Sequence, residues 1–371
     1  MRQIDQKRPW GEPSKLYSFQ DFAEERRIRK DGRETAVRFQ DIPAVLEAAS
    51  FLVRLYRDIY AEGLFYPGNL LKSVYFDPAT GQGQIQDRYG VKRLDSPASV
   101  EDLYNEYRAP ELILGELAHY SRESENWTLA VFLYELFFHS RGPFRGHQSM
   151  QKVFFSPREE VRFMAEEGVC NLEENQNSNR PVYGVQDRLI KYQEFYPEEL
   201  SDAFRQVFVD GKKDPSRRKD PDAWQILLNQ MKTDYLSCAC GNRGFAAAFH
   251  KTPDGHLSCP VCGQRYYIFE SGESRIYLYN GARIYQKQIR PTDFDDESLI
   301  GVVMENRQRK GVFGVKNLSS STWSGKGPDG MERPVAPGGG IPIWMGLRIS
   351  FGENCTWRIR GAENDDGRNE S

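Results

Sequence analysis

The sequence predicts a multidomain α+β protein, mainly helical at first and all-β towards its end. Three observations carry this prediction. Apolar residues repeat every 3.6 positions over residues 42–62, two closely spaced cysteine pairs follow residue 235, and short strand-like runs fill residues 300–360. With 371 residues, the chain is long enough for two or three domains of ordinary size.

Composition argues against several classes of protein. The chain holds 50 Lys and Arg against 53 Asp and Glu, a net charge of −3, whereas dedicated nucleic-acid-binding proteins usually carry a basic excess. The first residues lack the apolar run of a signal peptide. The longest apolar stretch is 127–138; it contains Glu135 and is shorter than the roughly 20 residues that a membrane span needs. We therefore expect a cytoplasmic protein with reduced thiols and with neither a membrane nor a nucleic-acid partner.

The first part of the chain is expected to be a partly helical, polar lead over residues 1–40, followed by a mainly helical domain over 41–232. A helix is predicted over 42–62, where Asp41 is a suitable N-cap residue. Residues 126–138 are apolar nearly all round, which is typical of a helix in the middle of a core.

Closely spaced cysteines predict a metal site within residues 233–289. The four cysteines are Cys238, Cys240, Cys259 and Cys262. A glycine follows the second cysteine of each pair, and two such turns are typical of the knuckles of a zinc ribbon, in which four thiolates hold a structural Zn²⁺ ion. The alternatives are a disulfide or redox pair, unligated thiols, and a ligand role for His250 or His256 in place of Cys238.

Strand signals continue from this region to the end of the chain. Asn280-Gly281 lies between two runs of β-formers, 275–279 and 283–285, and predicts a hairpin because this dipeptide favours a type I′ turn. Regularly spaced short strands over 290–361 predict a β-sandwich or barrel, and the polar, acidic residues 362–371 are expected to be disordered.

Three motifs in the helical part resemble the C-terminal lobe of protein kinases. Ala109-Pro110-Glu111 matches the A-P-E motif, Glu125 to Val131 with its Trp127 is similar to D-x-W-S-L-G-V, and Asp214 to Arg218 is similar to D-P-x-x-R. Glu125 stands where the family has Asp. The resemblance implies a kinase-like fold over residues 41–232 and a buried ion pair between Glu111 and Arg218.

The same resemblance implies a pseudokinase, without catalytic residues and without bound ATP or Mg²⁺. The 40 residues before the helical domain contain neither a G-x-G-x-x-G loop nor a V-A-I-K strand, so the chain looks like a degenerate member without the N-terminal lobe. Gly68 and Ser73 stand at the positions of the catalytic Asp and the metal-binding Asn. In another register Asn69 is retained, but Leu64 stands at the position of the Asp. Asp87 is a residual Asp of a D-F-G-like motif.

Residues near the end of the chain resemble the second half of a forkhead-associated (FHA) domain, in the segments Gly314 to Ser319 and Arg348 to Gly352. The FHA site for phosphothreonine needs an Arg after an early glycine and a Ser-x-x-His, and this chain lacks both. Three other basic residues lie near one loop, namely Arg307, Arg309 and Lys310.

The order of these parts is similar to one bacterial kinase-like family, found beside a von Willebrand A domain protein and a 2C-type phosphatase in tellurite-resistance-type stress loci. The resemblance implies a catalytically inactive scaffold or regulator in bacterial signalling or stress response. Its expected partners are those two proteins or an active kinase. Two alternatives stay open: an active Ser/Thr kinase whose N-terminal lobe is encoded upstream or supplied in trans, and a phosphopeptide-binding module formed by the FHA-like domain.

Overall fold

The computed structural model describes residues 16–30, 33–66, 70–86, 91–99, 105–173, 177–306, 308–309, 311–327 and 329–360. The chain divides into two units, with the division between Trp224 and Gln225. Both helices and antiparallel sheets are present, in agreement with the predicted α+β class. Within the described residues, no helix combines the length and the apolar character that a membrane crossing requires.

The first unit contains mainly helices joined by short strands. Its elements are β1 (Tyr17–Ser18), α1 (Phe19–Ala23), β2 (Arg27–Lys30), β3 (Arg33–Ala36), α2 (Ile42–Ala61), β4 (Leu64–Phe65), α3 (Leu70–Ser73), β5 (Val74–Phe76), β6 (Gly83–Ile85), β7 (Lys92–Arg93), α4 (Pro110–Ile113), α5 (Arg122–Phe138), α6 (His147–Met150), α7 (Pro157–Glu166), α8 (Asp187–Phe195), α9 (Glu198–Arg205) and α10 (Gly211–Lys213). Helix α11 (Pro221–Asp234) spans the division between the units.

Helices α2 and α5 form where the apolar patterns predict them, and they pack against each other. The Asp41 side chain accepts a hydrogen bond from the backbone N–H of Ala44 at 3.1 Å, which makes it the N-cap of α2. Every residue of α5 from Ser124 to Phe138 is buried, as expected for an apolar helix within a core.

The segment 1–40 also contributes to this core. Phe19 of α1 is completely buried, and its ring centroid lies 5.7 Å from that of Phe76 in β5 and 6.1 Å from that of Phe132 in α5. Aromatic side chains of this size bury much apolar surface. Helix α1, within the segment expected to precede the helical domain, therefore packs into the core of the first unit.

A tight turn at residues 77–81 joins β5 to β6. Gly81 has a φ of +71°, and a Cβ atom there would lie 1.9 Å from the backbone oxygen of Ala44. Only glycine fits this combination of left-handed backbone and close approach to α2.

Within the described residues, the second unit contains an eight-stranded and a four-stranded antiparallel sheet, and a two-stranded sheet in its cysteine-bearing region. Its elements after α11 are β8 (Tyr235–Ser237), β9 (Arg243–Phe245), β10 (His250–Lys251), β11 (Leu257–Ser258), β12 (Arg265–Ser271), β13 (Ser274–Leu278), β14 (Arg283–Tyr285), α12 (Gln286–Ile289), β15 (Leu299–Glu305), β16 (Phe313–Asn317), β17 (Trp323–Lys326), β18 (Glu332–Val335), β19 (Gly340–Pro342), β20 (Arg348–Ser350) and β21 (Thr356–Ile359).

The larger sheet has the order β10-β11-β12-β21-β20-β17-β18, with β13 also paired to β12, and the smaller sheet has the order β14-β15-β16-β19. Side chains of both sheets share one core, for example Ile349 and Trp357 of the larger sheet and Val315 of the smaller. This is the packing of a β-sandwich. Since β12 pairs with both β11 and β21, the larger sheet crosses the domain boundary expected at residues 289/290.

The prediction that Asn280-Gly281 closes a hairpin is wrong. Strand β13 pairs with β12, while β14 pairs with β15 of the other sheet. A turn does form, with the N–H of Ala282 donating to Tyr279 O at 2.9 Å, but only Gly281 of its two central residues has a positive φ, +86°. It is therefore not the predicted type I′ turn, which needs positive φ at both, and it carries the chain from one sheet to the other. Local turn chemistry sets the reversal of the chain, whereas strand pairing follows from the burial of Leu278 and Ile284 in the core between the sheets.

Candidate functional site

Two glycine-closed turns position the four predicted cysteines in the second unit. The N–H of Gly241 donates to Cys238 O at 2.9 Å, and the N–H of Gly263 donates to Cys259 O at 2.9 Å. Both glycines have positive φ, +94° and +73°. Glycine adopts this conformation without steric cost, so each turn can be tight enough to bring its two cysteine side chains close together.

The sulfur atoms of the cysteines all lie within 4.8 Å of one another. Cys238 Sγ is 3.4 Å from Cys262 Sγ, and Cys240 Sγ is 3.7 Å from Cys259 Sγ. A tetrahedral zinc site with Zn–S bonds of about 2.3 Å has sulfur–sulfur distances of about 3.8 Å. A disulfide bond is only about 2.05 Å long, so these distances fit a shared metal ion and not a disulfide. The four cysteines could therefore hold a metal ion.

The two histidines considered as alternative ligands are outside this cluster. His250 is exposed, and the Nδ1 atom of His256 lies 3.1 Å from an Asp254 carboxylate oxygen. Among the described residues, the candidate site contains sulfur ligands alone.

A tyrosine supports the site from the neighbouring strand β12. The Tyr266 hydroxyl donates a hydrogen bond to Cys238 Sγ, and this bond is the largest cause of the lowered pKa of the Cys238 thiol. The Tyr266 ring is almost completely buried, with centroid distances of 5.3 Å to Phe249 and 5.0 Å to Tyr279. A donor to the thiolate favours the charged form that a metal requires. Sequence reasoning missed Tyr266, although it follows Cys262 by only four positions.

In the first unit, Arg218 joins segments that are far apart in sequence. Its Nη1 and Nη2 atoms lie 2.7 and 2.9 Å from the two carboxylate oxygens of Glu111, and the same guanidinium donates to Gly211 O and Glu123 O at 2.8 and 3.0 Å. The guanidinium carbon is 4.9 Å from the ring centroid of Trp127. The Arg218 side chain is fully buried, and that of Glu111 is 15% exposed. The ion pair that the kinase resemblance implies is thus present.

A second buried ion pair was not predicted. Arg108 Nη1 lies 3.2 Å from Glu125 Oε1, and both side chains are at most 1% exposed. In the sequence motif, Glu125 stands out only as a replacement for Asp. Its partner Arg108 directly precedes the A-P-E motif, and this adjacency is the one signal that could have pointed to it.

Glu135 is the second buried carboxyl group on α5, after Glu125. The Tyr107 hydroxyl donates to its two oxygens at 3.1 and 3.2 Å. Burial, and after it the negative charge of Glu106, raise the pKa of Glu135 to about 8 against the opposing effect of the Tyr107 hydrogen bond. This group consequently titrates near neutral pH.

The positions assigned to phosphoryl transfer are described in part. Ser73 ends α3, and its hydroxyl oxygen accepts a hydrogen bond from the Tyr66 hydroxyl at 2.7 Å. Gly68, Asn69 and Asp87 lie outside the described residues, as do Arg307 and Lys310 of the basic loop, whereas Arg309 is exposed.

Comparison with known proteins assigns no family to the chain: no protein-family model matches it, and no curated protein matches it either. The candidate sites therefore stand on their own geometry, four convergent sulfur atoms in one unit and two buried ion pairs in the other.

Proposed function

We propose that the four cysteines hold a structural Zn²⁺ ion that stabilises an FHA-like second unit. The supporting observation is a set of four sulfur atoms at the spacing of a tetrahedral site. Four thiolates fill the coordination shell of zinc and leave no position for substrate, which makes such a site structural. When bound, the ion would link the two cysteine turns, and because such a site rarely exists in the unfolded chain, its binding free energy would add to the stability of the fold.

Metal analysis of the purified chain tests this proposal. We expect about one zinc per chain, and its loss in Cys259→Ser and in Cys262→Ser. Cys355→Ser is the matched control, because Cys355 is a buried cysteine of the same unit outside the cluster. A wild-type chain that takes up no zinc, or an equal loss in the control, would contradict the proposal.

We further propose that the first unit is related to the C-terminal lobe of protein kinases and that the chain is a pseudokinase scaffold for protein partners. The bidentate Glu111–Arg218 pair carries this proposal, because it connects the A-P-E segment to the D-P-x-x-R segment across 107 positions of sequence. Such a pair organises the fold and performs no chemistry. At the active positions the sequence offers Gly68 and Ser73, and neither residue type supplies the carboxylate that accepts a proton in phosphoryl transfer.

A thermal-shift titration with Mg-ATP separates a pseudokinase from an active kinase. A ligand present at 100 times its Kd adds about 2.7 kcal/mol, which corresponds to a shift of roughly 5–10 °C for a unit of this size. We expect no shift for this chain and a clear shift for an active kinase domain in the same buffer. A concentration-dependent shift that disappears in Asp87→Ala would overturn the proposal.

Binding of partners is measured directly by calorimetry. The candidates are a von Willebrand A domain protein, a 2C-type phosphatase and an active kinase of the same type of locus. Binding of at least one of them is expected, and the absence of binding to all three would contradict the scaffold assignment while leaving the zinc assignment standing.

A further inference from the structure

Three positively charged residues lie side by side on three neighbouring strands of the larger sheet. Lys326 of β17 is the register partner of Arg348 of β20, and Arg348 is that of Arg358 of β21. Register partners in antiparallel strands share a face of the sheet, with Cβ atoms about 4.5–5.5 Å apart. All three residues are exposed. We call Lys326, Arg348 and Arg358 the cation row.

Carboxylates lie at the two ends of the cation row and not at its middle. Glu332 is the register partner of Lys326 at one end, and Glu270 lies 3.3 Å from Arg358 at the other. Within the part of the chain that the structure describes, neither Lys326 nor Arg348 forms a salt bridge. The centre of the row thus keeps its positive charge uncompensated by described residues.

The next row on the same face contains small, uncharged side chains. Ser324 pairs with Ser350, which pairs with Thr356, and each lies two residues from a member of the cation row. Because side chains alternate along a strand, residues two apart share a face. These short side chains leave room for another chain to approach the cations.

Like charges in register destabilise a sheet, so the cation row is unfavourable for folding by itself. Overall composition does not account for it, since the net charge of the chain is −3. Three cations are also fewer than the roughly 6–10 phosphate contacts with which proteins typically bind nucleic acids, so the cation row suits a smaller anionic partner.

We propose that the cation row is the docking site for an extended acidic segment, rich in Asp and Glu, of a partner protein. Two strand spacings give the row a length of about 10 Å, and same-side residues of an extended peptide recur about every 6.6–7 Å, so acidic residues at positions i and i+2 reach all three cations. The sheet already contains such a contact, because Glu270 lies between Arg358 and Arg360. This proposal rests on the partner-binding function proposed above and names the chemistry of the partner.

The test uses the full chain and a labelled peptide of about ten residues with alternating Glu and Ser, followed by fluorescence anisotropy. A second peptide carries Gln in place of each Glu. We expect binding of the acidic peptide alone, with at least about tenfold weaker binding when salt is raised from roughly 50 to 500 mM. Arg348→Gln is expected to weaken binding by about fivefold or more.

The matched control is Arg333→Gln. Arg333 is exposed on the adjacent strand β18, pairs with Asp329, and is in register with Gly325, so it alternates away from the face of the cation row. Equal effects of Arg333→Gln and Arg348→Gln would overturn the proposal. No binding of the acidic peptide would also overturn it, as would tighter binding of a single-stranded oligonucleotide or of vesicles with anionic lipid.

A charge reversal separates lost docking from lost folding. Arg348→Glu places a carboxylate between Lys326 and Arg358, so we expect a higher urea midpoint for the second unit together with loss of peptide binding. A lower midpoint would contradict the argument from like charges. If a purified protein partner binds Arg348→Gln as tightly as wild type, the cation row is excluded while the scaffold function stands.

Discussion

Replacing Glu111 with Gln should destabilise the first unit by about 3 kcal/mol or more. The Arg218 guanidinium is fully buried, and Glu111 places both of its carboxylate oxygens within 2.9 Å of it. Breaking a buried pair by removing one partner costs about 3–5 kcal/mol, because a charge stays in the protein interior without compensation. Gln retains one acceptor, which places the expected cost at the lower end of this range. The contacts of Arg218 with Gly211 O and Glu123 O remain but do not neutralise its charge.

A double-mutant cycle isolates the pair from the other contacts of each residue. Arg218→Met removes the charge that Glu111→Gln leaves behind, so the double variant should be more stable than the sum of the single effects predicts. The coupling should amount to about 2–3 kcal/mol, at the upper end of the range for residues in direct contact.

Hydrogen exchange measured by mass spectrometry suits a chain of two units, because each peptide reports on its own region. A loss of about 3 kcal/mol should accelerate exchange in α5, residues 122–138, by more than about a hundredfold, while exchange in the strands of the second unit stays unchanged. Glu116→Gln is the control, since Glu116 is exposed nearby and exposed substitutions usually change stability by less than about 0.5 kcal/mol. An effect of Glu111→Gln below about 1 kcal/mol, or strict additivity in the cycle, would refute the reasoning.

Three further outcomes are expected. The pKa of Glu135 is about 8 in the folded chain against a usual 4.5, so the folded state binds more protons between these values and its stability falls as pH rises through them. Glu135→Gln should reduce this loss of stability, measured as the difference between urea midpoints at about pH 5 and about pH 8. A difference equal to that of the control Glu116→Gln would contradict the assignment. Tyr266→Phe removes the donor to Cys238 and should weaken zinc binding by about tenfold in a chelator competition at unchanged stoichiometry, and unaltered affinity would show that the hydrogen bond is dispensable. Gly81→Ala should lower the thermal midpoint of the first unit by several degrees, because the new Cβ would clash with the Ala44 backbone and because alanine disfavours the positive φ of this position. A midpoint within about 1 °C of wild type would count against the close approach.

The sequence alone was enough for features that depend on near neighbours. The 3.6-residue repeat and the Asp41 cap predicted α2, because helix hydrogen bonds connect residues only four apart. The all-apolar run predicted α5 as a core helix. The cysteine pairs predicted a cluster, because each turn is formed by five or six consecutive residues and glycine closes both. The relations to protein kinases and to FHA domains stay predictions.

Only the tertiary structure decided which distant residues become neighbours. Asn280-Gly281 reverses the chain without the predicted type I′ geometry, and its flanking strands join different sheets, because each strand pairs where its apolar face covers the shared core. For the same reason Arg108 meets Glu125, and Lys326, Arg348 and Arg358 form one row across three strands. Burial of apolar surface acts between all parts of a chain irrespective of their separation in sequence, so a local pattern reveals an element but not its neighbours.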